Sequence, residues 1–149
     1  MDVAAITLRL ALALAVGAAI GINRDLRRKP AGVRTHSLVS IGAALVVMAA
    51  LAMPGATPDT VSRVVQGLIT GIGFLGAGVI LHHRSGQRIE GLTTAASIWV
   101  AAGLGSACGA GLVEIAVMGL AAALIVLIAG GPFERALERL FGSSDREAK

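Results

Sequence analysis

Residues 92–130 read LTTAASIWVAAGLGSACGAGLVEIAVMGLAAALIVLIAG, and the length of this apolar run decides the architecture. A helix rises about 1.5 Å per residue, so roughly 20 apolar residues cross a hydrocarbon core of about 30 Å. The run is too long for one crossing and suits two joined by a tight turn. Glycines at 103, 105, 109 and 111 supply the backbone freedom such a turn needs, which places it between Gly103 and Gly111. The competing division has four spans, with part of this run broken or re-entrant.

The same ruler finds three more spans upstream, at residues 3–22, 36–53 and 63–81. With 55% hydrophobic and 15% charged residues in 149, the chain holds more apolar surface than one small soluble core can hide. Its apolar residues come in runs, without the alternation of a membrane barrel. The expected fold is therefore all-α, a polytopic transmembrane helical bundle of about five spans. Residues 3–22 do not read as a cleaved signal peptide, since no basic segment precedes them, Arg9 interrupts them and a strongly basic stretch follows. They are expected to be a retained first span.

Past Pro132, Phe133, Leu137, Leu140 and Phe141 recur at helical spacing among Glu134, Arg135, Glu138 and Arg139. This predicts a short amphipathic helix along the membrane interface and a frayed end from Gly142 to Lys149. Residues 1–131 then form the transmembrane domain and 132–149 a cytoplasmic tail.

Basic residues cluster by loop: Arg24, Arg27, Arg28, Lys29 and Arg34 between the first two spans, Arg84 and Arg88 between the third and fourth, and the rest mainly in the tail. Five spans put these regions on one side, which the positive-inside rule makes cytoplasmic, with the N-terminus outside and the C-terminus inside. The net charge of +4 thus reads as topology and not as a nucleic-acid surface. Cys108, the sole cysteine, excludes an internal disulfide and a thiolate metal centre and is expected to pack as a small buried residue.

Hydrophobicity does not draw helices together inside lipid, so small residues must let them approach. Gly17 and Gly21 in the first span, and Gly67, Gly71 and Gly78 on one stripe of the third, are the expected packing positions. Packing within the bundle and packing in a homodimer are both open. Gly71 to Gly78 lacks the Lys-Ser/Thr ending of a phosphate loop.

Polar residues gather at the cytoplasmic ends of the spans: Asn23, Arg24, Asp25, Arg34, Thr35, His36, Glu90, Thr93 and Thr94. They form the candidate site. Thr35 or Ser37, and Thr93 or Thr94, suit N-caps, so two positive helix ends would face the cytoplasm and favour an anion or a phosphate headgroup. The plainer reading is that the threonines cap and the arginines set topology. A Mg²⁺ path looks poorly supplied, because Asp25, Glu90 and Glu114 are the only acids near the spans. His82 and His83, being adjacent, point apart on a helix and do not make one metal centre. No metal, cofactor or catalytic arrangement is expected. Arg9 and Glu114 fall within apolar runs, either paired with each other or snorkelling separately to the outer headgroups.

Four ordered motifs carry a family resemblance: Gly21 through Asp25; Lys29-Pro30-Ala31-Gly32-Val33-Arg34-Thr35-His36; Gly71 through Ile80, read GIGFLGAGVI; and Gly91-Leu92-Thr93-Thr94-Ala95-Ala96-Ser97-Ile98-Trp99. They span most of residues 5–130, and the chain resembles the membrane domain of the MgtC/SapB family. The resemblance implies a non-enzymatic bacterial inner-membrane protein linked to growth at low Mg²⁺ and, in pathogens, to virulence through survival inside macrophages. It also implies regulation through membrane partners such as the F-type ATP synthase. A small oligomeric transporter or channel for Mg²⁺ or H⁺ is the alternative function. Asn23 stands where the family's Glu is expected, and the soluble C-terminal domain of many members is not found here.

Overall fold

A computed structural model describes residues 1–81 and 91–141. Five helices follow one another: α1 (Val3–Leu26), α2 (Val33–Ala52), α3 (Pro58–Leu81), α4 (Leu92–Ala110) and α5 (Val113–Phe141). Each is long and apolar enough to cross a bilayer, and no strand occurs among the described residues, so the chain is a five-span helical bundle. Its frame is α1, α2 and α4 in mutual contact; α3 touches only α2 and α4, and α5 only α1 and α4.

Glycines set this arrangement by bringing backbones together. A Cβ at Gly17 would lie 2.6 Å from the carbonyl oxygen of His36, and one at Gly21 would collide with the backbone of Val33. On α4, a Cβ at Gly105 would run into the Ser40 carbonyl, and one at Gly109 would come within 2.8 Å of Ala44 Cα. Such close approach lets dispersion and weak polar contacts act where no hydrophobic force operates between helices. Ala13, Val16, Ile20, Ala44, Met48, Ala101 and Cys108 fill the core between these contacts.

Of the two expectations for the α3 stripe, packing within the bundle is not what the structure shows. A Cβ at Gly67, Gly71 or Gly78 would meet nothing within 4 Å, so no helix of this chain presses on them. Instead Gly76 is the buried glycine of α3, with a Cβ there 3.4 Å from Ala95 Cβ. The physical reason is rotational: α3 turns the Gly76 side toward α4 and leaves the stripe outward.

The α4–α5 turn is shorter than expected. Helix α4 runs through Gly103, Gly105 and Gly109 and ends only at Gly111, whose φ of +82° favours glycine. There the Leu112 amide donates to the Ala107 carbonyl and the Gly111 amide to Cys108, a Schellman closure.

The helix expected after Pro132 forms, but as a continuation of the last span and not as a separate element. Helix α5 continues through the proline to Phe141, although proline has no amide to donate to the Ile128 carbonyl four residues back. Arg27, from the segment after α1, fills that gap by donating its Nη2 to Ile128 O at 3.0 Å. The sequence-based boundary at residue 132 thus falls inside one continuous helix. The predicted frayed end, residues 142–149, lies outside the described residues.

Replacement of Gly105 by Val should destabilise the folded bundle by at least about 1–3 kcal/mol through overpacking, whereas Gly71→Val should be nearly neutral. Thermal unfolding of the two variants in detergent checks this contrast, and equal losses would contradict it.

Candidate functional site

The polar residues of the basic end are built around the first turns of α4. This helix starts after Gly91, held at φ +92°, and among the described residues no side chain caps its leading amides. Thr94 and Ser97, three residues apart, share one buried face. Arg24 approaches from α1 and donates its Nη2 to Thr94 Oγ1 at 2.6 Å. His36 approaches from α2 and places Nε2 2.9 Å from Ser97 Oγ. Arg24 is only 4% exposed and His36 is fully buried.

Protons in this layer are limited. His36 Nδ1 lies 3.0 Å from the Gly32 carbonyl, which can only accept, so Nδ1 carries a proton. The Ser97 hydroxyl is placed to donate to Thr94 O at 2.8 Å. With a neutral ring, Nε2 is an acceptor and competes with Thr94 O for that one hydroxyl proton. Four buried polar atoms here and in the adjoining turn of α2 find no partner among the described residues: Asn23 Oδ1, Arg24 Nε, Ser37 Oγ and Ser40 Oγ. Unmet buried polar groups are uncommon and cost about 1–3 kcal/mol each.

Helix α1 ends in a second Schellman closure, in which Lys29 N donates to Arg24 O and Arg28 N to Asp25 O. Arg28 takes the left-handed position at φ +52°, where glycine would be easier. The chain then returns so that Asp25 Oδ2 accepts from Val33 N at 3.0 Å. A carboxylate therefore caps α2 from across the loop, stabilised by the helix dipole.

This geometry revises several sequence-based roles. Neither Thr35 nor Ser37 is the N-cap of α2, because the helix already begins at Val33 after Gly32. Thr93 and Thr94 likewise fall inside α4 behind Gly91. Arg24, His36 and Thr94 are brought together, Thr93 borders the same region, and Arg34 and Thr35 are exposed outside the network. Glu90, His82, His83, Arg84 and Arg88 lie outside the described residues. Ser97 was overlooked as a site residue. Its offset of three from Thr94, which puts both hydroxyls on one helix face, is the available signal.

At the opposite end, Arg9 and Glu114 form no ion pair. Arg9 Nη1 donates to the Gly109 carbonyl at 2.6 Å, at the negative C-terminal end of α4 where free acceptors collect. Glu114 is exposed in the first turn of α5, the favourable end for an acid. Among the described residues the only salt bridge is the exposed Arg63–Asp59 pair on α3, at 3.1 Å.

A basic cavity of about 1190 Å³ opens beside this layer, bordered by Arg24, Arg28, Lys29 and Arg135 together with the start of α4. Among the described residues every acidic side chain is exposed, and no three His, Cys, Asp or Glu residues cluster. The arrangement is suited to holding an anion and ill suited to holding a bare cation.

Five crossing helices, three of them (α1, α2 and α4) joined at one end by a buried Arg-Thr and His-Ser layer, define a multi-pass membrane protein with a cationic polar layer. The chain belongs to the MgtC family, which it matches over residues 10–136. It is 46% identical over 132 residues to protein SrpB of Synechococcus elongatus, covering 82% of this chain and 72% of that one. It is 41% identical over 133 residues to protein MgtC of Salmonella typhimurium, covering 89% of this chain but 54% of MgtC. YhiD of Escherichia coli, described as a candidate magnesium transporter, is 41% identical over 127 residues, covering 80% of this chain and 58% of YhiD. The chain thus spans little more than half the length of MgtC and YhiD. No solved structure matches it.

Two results test this geometry. Thr94→Val should destabilise the bundle by about 1–3 kcal/mol by leaving a second Arg24 donor unmet, read from unfolding in detergent. Arg27→Ala should cost more in the native chain than in Pro132→Ala, where a restored amide satisfies Ile128; additivity in this double-mutant cycle would reject the Arg27 link.

Proposed function

We propose that the chain is a non-enzymatic modulator in the bacterial inner membrane, linked to Mg²⁺ homeostasis and acting through contacts with other membrane proteins. The observation that carries the reading is Arg24. A buried cation, with no carboxylate within salt-bridge distance among the described residues, occupies the polar layer between α1, α2 and α4. It repels Mg²⁺, which prefers one or two carboxylates and retained waters. Every described acid lies exposed near helix ends or in the polar continuation of α5, away from the core. The names of the relatives support the Mg²⁺ link, and the outward glycines of α3 support contact with a further helix, from a second copy or another membrane protein.

In this reading the basic end is cytoplasmic, the N-terminus is outside, and the F-type ATP synthase is a partner implied by family resemblance. Growth at low Mg²⁺ and survival inside host cells are the physiological settings. A Mg²⁺ or H⁺ transporter assembled from several copies is the competing reading, favoured by the magnesium transport named for YhiD.

The deciding experiment uses the full chain twice. In cells deprived of their own family member it should restore growth at low Mg²⁺, and Arg24→Gln should lose that effect while remaining in the membrane. Purified into proteoliposomes, the same protein should pass no more Mg²⁺ or H⁺ than protein-free vesicles. Flux above that background would overturn the modulator reading in favour of transport.

A further inference from the structure

The basic cavity does not end at the polar layer. Between α1, α4 and α5 it adjoins an apolar groove of about 340 Å³, and the two share Thr93, Val126 and Leu127. That volume lies within the usual ligand range of about 300–1,000 Å³. Ile20, Val100, Gly119, Ala122 and Ala123 line the groove, and no charged residue does. Three of the α5 residues along it, Gly119, Ala122 and Ala123, are small and leave room rather than filling it.

On the cavity side, among the described residues, five bases, Arg24, Arg27, Arg28, Lys29 and Arg135, face one acid, Glu134. Arg27 is committed to the Ile128 carbonyl. Arg24 is 4% exposed and donates one hydrogen bond, while its Nε has no partner. Gly91, Leu92 and Thr93 bring the start of α4, which no described side chain caps, to the same cavity. A buried cation and the amides at the start of α4 converge on a space that a negative group would neutralise.

We propose that this crevice binds one anionic phospholipid, its phosphate between Arg24, the rim bases and the first amides of α4, and one acyl chain in the groove. A free phosphate meets the charge but leaves the groove empty. A zwitterionic lipid fills the groove but leaves the surplus positive charge. An anionic lipid satisfies both halves, and the site lies at a helix end, where headgroups meet protein. The inference needs only the membrane setting and stands apart from the modulator reading, so Mg²⁺ flux in vesicles would not touch it.

The test is native mass spectrometry of the full chain released from nanodiscs holding equal phosphatidylglycerol and phosphatidylcholine. One phosphatidylglycerol should stay bound, favoured over phosphatidylcholine by at least about tenfold. Lys29→Gln with Arg135→Gln, both at exposed positions, should remove most of that preference. Ala123→Phe should remove the bound lipid by filling the groove. Circular dichroism and gel filtration establish that each variant is folded; if Ala123→Phe is not, the charge variant alone decides.

Equal retention of the two lipids, or an unchanged preference in either folded variant, would overturn the proposal. Inorganic phosphate or glycerol phosphate that protects the protein from thermal unfolding as strongly as phosphatidylglycerol would assign the cavity to a free anion instead.

Discussion

The rest of the structure depends on how closely α4 lies against α2. Gly105 and Gly109 admit the Ser40 and Ala44 backbones where any side chain would push them away. Gly17 and Gly21 do the same between α1 and α2. Inside a bilayer burial supplies no net pull between helices, so this surface complementarity is what holds the three-helix frame. It also fixes the register that carries Arg24 and His36 to Thr94 and Ser97, since these bonds tolerate little displacement.

The polar layer in turn organises the loops around it. Asp25, one residue after Arg24, caps α2, and the closure at Arg28 aims the chain so that this carboxylate reaches Val33. Arg27 meets the carbonyl that Pro132 leaves without a donor. One short stretch of sequence therefore ends α1, starts α2 and supports α5. Its bases also define the face of the cavity, which is why structure and electrostatics are hard to separate in this segment.

The number of spans was legible because the thickness of a bilayer is a fixed ruler and the apolar runs are long. Helix ends were less legible. The cap of α2 comes from Asp25, eight residues before Val33, and no local pattern announces it. Glycine spacing marks surfaces that can approach but not which ones do: Gly67, Gly71 and Gly78 are open, whereas Gly105 and Gly109, which in the sequence look like turn residues, lie against the α2 backbone. Pro132 reads as a helix stop because its replacement donor, Arg27, comes from the distant loop after α1. Arg24, His36 and Thr94 were found as polar residues at one depth, but their partners required the register. Arg9 showed the converse, since its acceptor is a carbonyl and carbonyls carry no signature in a sequence.

Both arginines inside α1 have their acceptors on α4: Arg9 on Gly109 and Arg24 on Thr94. During synthesis, α1 enters the bilayer long before α4 exists, carrying donors that lipid cannot satisfy. Its completion must wait for a helix made about seventy to a hundred residues later, as the spacing of these bonds records. The order of biogenesis is thus written into the contacts, with α4 acting as the late-arriving piece that locks the first helix in place.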